Sequence, residues 1–139
     1  MIKKLSFATG LFFALTNTAM ADLTIYDCTP YNIEKQYGWI SERIIVIVDE
    51  ETKSASVLDG YIQYVHKEPI AVSYSELKNG KFRVQWSVSG IPVRGNAKGS
   101  ASWSATVSPS KAEMQVRATV AGFDNRPRGH GKCEVSREQ

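Results

Sequence analysis

From residue 22 onward the chain alternates apolar and polar residues with a period of two. Phe82, Val84, Trp86 and Val88 are separated by Arg83, Gln85 and Ser87; Ala101, Trp103, Ala105 and Val107 by Ser102, Ser104 and Thr106; Met114, Val116, Ala118 and Val120 by Gln115, Arg117 and Thr119. Ile70, Val72 and Tyr74 repeat the pattern against Ala71 and Ser73. Each run predicts a strand with one buried and one wet face. On a helix the same apolar residues would point all around the axis. Ile44 to Val48 is apolar throughout and mostly β-branched, so this strand calls for cover on both sides. The turn at Tyr31 to Tyr37 is the one helical stretch expected, and it or a subunit contact could supply that cover.

Turn chemistry divides the strands. Lys78-Asn79-Gly80-Lys81 is the strongest signal, because Asn-Gly accepts the positive φ angles of a type I′ hairpin. Residues 50–53 and 108–110 are weaker turns, and 67–69 ends one strand before another begins. Two longer Gly-rich polar stretches, 90–99 and 122–131, read as loops. The outcome is about eight strands, at 23–28, 41–49, 54–65, 69–77, 81–89, 100–107, 111–121 and 132–137. Short connections favour antiparallel neighbours, so the fold class is an all-β antiparallel meander in a single small domain.

Two cysteines bracket this array, Cys28 on the first strand and Cys133 on the last. Only one intrachain pairing exists, and a bond between them brings the first and last strands together. A meander whose ends meet closes into a barrel. A two-sheet β-sandwich is the alternative that would also bring them together.

The first 21 residues change the reading of location and charge. Lys3 and Lys4 precede a short apolar run containing Leu11 to Leu15, and Ala19-Met20-Ala21 follows as a small-x-small cleavage pattern. This predicts a cleaved signal peptide over 1–21 and a mature domain over 22–139, exported to a bacterial periplasm or secreted. The apolar run is too short for a stable membrane anchor, and no second one follows, so no transmembrane segment is expected in the mature protein. In such a compartment the cysteines should form a structural disulfide.

The whole chain carries a formal charge of +3 from 17 basic and 14 acidic residues, and loses two lysines with the signal. A near-neutral mature protein in an exported location argues against a nucleic-acid partner. The charge is nevertheless segregated: residues 22–76 hold 4 basic and 10 acidic groups, and residues 77–139 hold 11 basic and 4 acidic. Facing halves of one domain could account for this, as could a basic surface for an acidic partner.

Candidate chemistry is sparse. His66 and His130 lack metal-ligand spacing, so no metal or cofactor is expected. The serines supply neither G-x-S-x-G nor S-x-x-K. Asp49, Glu50 and Glu51 sit at a hairpin end, where charge is expected without catalysis. No catalytic residues are assigned and the expectation is not an enzyme. The best candidate binding residues are Arg126, Arg128, His130 and Lys132, with Arg94 and Lys98 in the other Gly-rich loop. Arginine holds a carboxylate or phosphate with two parallel bonds, and glycines leave backbone N–H groups open. Trp39 and the tyrosines could line a ligand cavity, but Trp86 and Trp103 lie on apolar strand faces that point to core packing. The chain therefore reads as an exported binding module, or as an envelope-associated structural or inhibitory protein docking an acidic partner, small or macromolecular, through a basic loop.

Overall fold

The computed structural model describes residues 22–31, 38–124 and 126–138. Eight antiparallel strands follow one another in a meander that closes on itself. They are β1 (Leu23–Tyr31), β2 (Ile44–Asp49), β3 (Ser54–Leu58), β4 (Ile70–Glu76), β5 (Phe82–Pro92), β6 (Lys98–Ser108), β7 (Glu113–Val120) and β8 (Arg128–Glu138). Strand β1 pairs with β2 on one side and with β8 on the other, so the barrel is realised and the sandwich is not. Cys28 and Cys133 lie directly opposite each other in the β1–β8 register and are joined by a disulfide. The bond staples the seam of the barrel. It closes a loop with a sequence separation of 105. A loop of that size corresponds to about 4–5 kcal/mol in the chain-entropy account of disulfides.

The alternating residues sort as their parity dictates. Val84, Trp86, Trp103, Ala105, Val116 and Ala118 are all buried in one core, with Tyr26, Val46, Val57, Phe82 and Met114. On β2 the inward Ile44, Val46 and Val48 are buried, whereas Ile45 and Ile47 are half-buried on the outer wall. The two-sided cover expected for this strand is therefore only partial among the described residues. The helical turn expected at 31–37 does not begin at Tyr31, which ends β1; residues 32–37 lie outside the described residues.

The third strand is shorter than its composition predicts. It ends at Leu58, and Gly60–His66 forms a helix, α1, in place of a strand running to 65. Asp59 decides this. Its side chain accepts the Ile62 N–H at 2.8 Å, capping the helix start, and Lys67 adopts a left-handed conformation (φ 70°) to end it. The helix buries Ile62 completely in the core. Trp39, Tyr61, Trp103 and Trp86 stack in sequence, with ring centroids 5.6, 5.4 and 6.0 Å apart. The Trp103 indole N–H donates to the Trp39 carbonyl at 2.8 Å, and the Tyr61 hydroxyl donates to the Gly38 carbonyl. Packed side chains thus fill the barrel where α1 meets it.

The hairpin at 78–81 behaves as its Asn-Gly predicts. Asn79 (φ 63°) and Gly80 (φ 76°) both have positive φ, and Lys81 N–H donates to the Lys78 carbonyl. The Gly-rich stretches at 90–99 and 122–131, expected as loops, do carry connections, but the strands run into them: 90–92 belong to β5, 98–99 to β6 and 128–131 to β8. A bulge at Gly90 (φ 75°) shifts the β5–β6 register between Val88 and Ile91, and the strand continues to Pro92 with Ile91 buried. Strand β8 begins at Arg128 instead of 132, with Gly129 and Gly131 facing inward. A Cβ on Gly131 would lie 2.2 Å from the Thr29 carbonyl oxygen, so the glycine lets β1 and β8 approach closely.

Candidate functional site

In a meander, alternate connections share an end. The β5–β6 connection at 93–97 and the β7–β8 connection at 121–127 therefore open at the same end of the barrel as α1. Arg94, Lys98 and Arg126 are all exposed at that end, as a basic rim requires. Arg128, His130 and Lys132 lie elsewhere. They form one outward column on β8, because residues two apart on a strand share a face. The structure thus divides the six candidates into a rim set and a wall set.

The wall set belongs to a larger surface. The outer face of β5 to β8 forms a cleft of about 920 Å³ whose polar lining follows the strand register. One row runs Arg83, Thr106, Gln115, His130 and continues to Tyr31 on β1. The next runs Gln85, Ser104, Arg117, Arg128, and a third runs Ser87, Ser102, Thr119. Neighbouring strands are about 4.8 Å apart and successive outward residues about 7 Å apart, so the rows make a polar grid roughly 15 Å across. No carboxylate is among the described residues that line it. Lys132, one row further on, is neutralised by Glu113 at 2.7 Å. That lysine holds the Glu113 carboxyl below its usual range.

Arg117 and Arg128 are the distinctive pair. They are direct cross-strand partners, and neither forms an ion pair among the described residues. The Ala118 N–H donates to the Pro127 carbonyl at 2.9 Å, which makes 117 and 128 a non-hydrogen-bonded pair. Side chains approach most closely at such pairs, and like charges directly opposite are destabilising. Among the described residues Arg83 is held only by a 3.4 Å bond to Thr106 Oγ1. At the edge of the cleft the Tyr31 ring lies 4.5 Å from the His130 ring.

Arg83 and Arg117 are not among the candidate binding residues of the sequence. Their parity places them on wet strand faces, where an arginine is unremarkable. Their signal is the register between strands, which becomes visible only once β8 is known to begin at Arg128.

Two other features lie apart from this face. A second cleft of about 960 Å³ lies at the α1 end between Ile40, Arg43, Tyr61, Tyr64 and Ile91. Asp59 is a buried carboxylate whose pKa is raised, chiefly by burial. The Ile62 and Tyr61 amides offset part of that rise, and the Trp86 indole approaches Asp59 without a well-formed hydrogen bond, leaving Asp59 Oδ2 and Trp86 Nε1 unpartnered. Asp59 caps α1 and lines neither cleft. Among the described residues no three His, Cys, Asp or Glu side chains cluster as a metal site, and no helix is long and apolar enough to cross a membrane. Comparison with protein-family models, with curated proteins and with solved structures gave no match.

Proposed function

We propose that this protein is an exported, non-enzymatic binding module that takes an anionic partner on the outer face of β5 to β8. The observation that carries the reading is the Arg117–Arg128 pair, two arginines at directly paired strand positions with no carboxylate among the described residues of their cleft. An apposition that costs stability in the free protein becomes favourable when an anion sits between the guanidinium groups. The filled barrel interior supports recognition on the outer wall over capture of a small ligand inside the barrel mouth. Export rests on the signal pattern of residues 1–21, which lie outside the described residues, and a disulfide at the barrel seam is compatible with it.

The test is elution from a phosphate-bearing cation exchanger. Arg117→Gln with Arg128→Gln should elute at lower salt than Lys78→Gln with Lys111→Gln, a pair with the same net charge changed in the connections at the opposite end. Equal elution of the two would overturn the reading. Export is checked separately: protein recovered from the envelope should begin at Asp22.

A further inference from the structure

We infer that the anion is part of an acidic polysaccharide, with Arg117 and Arg128 clamping one oxyanion of the chain and the surrounding rows binding its hydroxyls. The inference rests on the anionic-partner reading above and deepens it. Three observations select this occupant.

The first is the chemistry of the grid. Around the two arginines it offers Ser104, Gln85, Thr106, Gln115 and Ser102, side chains that both donate and accept hydrogen bonds. Sugar hydroxyls need such two-way partners, and a bare inorganic anion does not. The second is what the grid omits. A stable protein partner is anchored by aromatic or aliphatic side chains at the centre of its interface. Here the outward positions of the three rows on β5 to β8 are hydroxyl, amide, imidazole or guanidinium groups, and the one aromatic ring of the rows, Tyr31, stands at the margin on β1. The large apolar residues of these strands, Trp86, Trp103 and Met114, are buried inside. A lipid surface would likewise need a cluster of apolar side chains to insert, and on β5 to β8 the rows present none. The third is the edge. Tyr31 is 43% exposed and its ring lies against His130 at the end of the Arg83 row. A ring face at the margin of a polar grid suits the C–H face of a pyranose.

The geometry fits a chain better than a single sugar. The Arg117–Arg128 pair lies in the middle row, and Arg83 lies one row away, about 7 Å along, two strands from Arg117 and three from Arg128, about 10 and 14 Å across. Two cationic points at that separation match charges on different residues of one polymer. Each guanidinium presents a planar fork that suits a carboxylate or a sulfate equally, so the shared chemistry is an oxyanion borne on a sugar.

The experiment is a titration of the mature protein at low salt. The probes are polygalacturonate, dextran sulfate, unmodified dextran, poly-L-glutamate and phosphatidylglycerol vesicles. One or both acidic polysaccharides should bind, unmodified dextran should not, and poly-L-glutamate and the vesicles should bind at least about tenfold more weakly, a difference one or two lost hydrogen bonds to sugar hydroxyls would produce. Arg117→Gln with Arg128→Gln should weaken polysaccharide binding about tenfold or more, and Arg94→Gln with Arg126→Gln much less. Ser104→Ala with Thr106→Ala should weaken polysaccharide binding while leaving elution from the phosphate exchanger unchanged. If poly-L-glutamate or the vesicles bind as tightly as the polysaccharides, the sugar assignment is wrong and the anionic face stands. If the serine–threonine variant binds polysaccharide normally, the hydroxyl grid is not used and the sugar assignment again fails. If none of the anionic probes binds, or the arginine variant binds them all as well as the native protein, both readings fall.

Discussion

The outer walls of the two halves of this barrel solve the same problem in opposite ways. On β1 to β3 the wall is partly apolar, with short strands at β2 and β3 and with Ile45 and Ile47 half-buried. The arginine that flanks it is fully matched: Arg43 reaches Asp27 with bonds of 2.9 and 2.6 Å. On β5 to β8 the wall is long-stranded and polar, and Arg117 and Arg128 face each other without a carboxylate. Both walls enclose one apolar core. The first pairs opposite charges and the second sets like charges on directly facing positions, an arrangement that costs stability. A charge apposition with no structural gain is where a partner is to be sought.

The comparison assumes that the halves form one cooperative body, and the largest expected effect tests that. Trp86→Ala should cost about 3–5 kcal/mol, because Trp86 is buried against Trp103 in the aromatic column. Denaturant unfolding should still show one transition; two separate transitions would break the account. Next, Cys133→Ser opens the seam between β1 and β8 and should cost about 2–5 kcal/mol by thermal or urea unfolding.

Smaller effects sharpen the contrast between the walls directly. Arg117→Gln relieves the like-charge pair and should raise stability by about 0.2–1 kcal/mol. Arg43→Gln breaks an exposed ion pair and should lower it by up to about 1 kcal/mol. The same sign for both in urea titrations would erase the distinction.

The pH dependence separates two carboxylates of this body. The Arg43 guanidinium hydrogen-bonded to Asp27 holds that carboxyl below the usual range. Its stabilisation is present above the unfolded pKa of an aspartate and is lost as pH falls through the lower folded value. Asp59 has the opposite sign. Its pKa is raised by burial, so its relative stabilisation is full below the unfolded pKa and is lost as pH rises through the folded value. Asparagine caps a helix as well as aspartate does. Asp59→Asn should therefore be more stable than the native protein at neutral pH, with the difference closing in acid. A gap that widens in acid would contradict the assignment.

Much of the fold was legible because parity is a local signal. The inward set from Val84 to Ala118 follows from alternation alone, and a single cysteine pair on the outermost strands implies a closed seam. Helix α1 is hidden in the sequence because Tyr61, Ile62, Tyr64 and Val65 are aromatic or β-branched, the composition of a strand, and the deciding contact is the Asp59 cap. Strand β8 was begun too late because Gly129 and Gly131 look like loop glycines. Their inward positions, and the closeness of Thr29 to Gly131, are tertiary facts. That error also hid the site. With β8 beginning at Lys132, Arg128 has no register partner, and the apposition with Arg117 cannot be seen. Arg128 and His130 were singled out for their loop chemistry and prove to lie on the wall, while Arg94, Lys98 and Arg126 mark the rim.

The most direct test of the central claim is amide chemical-shift mapping of the mature protein titrated with polygalacturonate and, in parallel, dextran sulfate at low salt. The account predicts shifts concentrated at Arg83, Gln85, Ser104, Gln115, Arg117 and Arg128, with Ile45, Ile47 and the α1 end little changed. Shifts centred instead on Tyr61, Tyr64 and Arg43, or spread evenly over all basic residues, would contradict it.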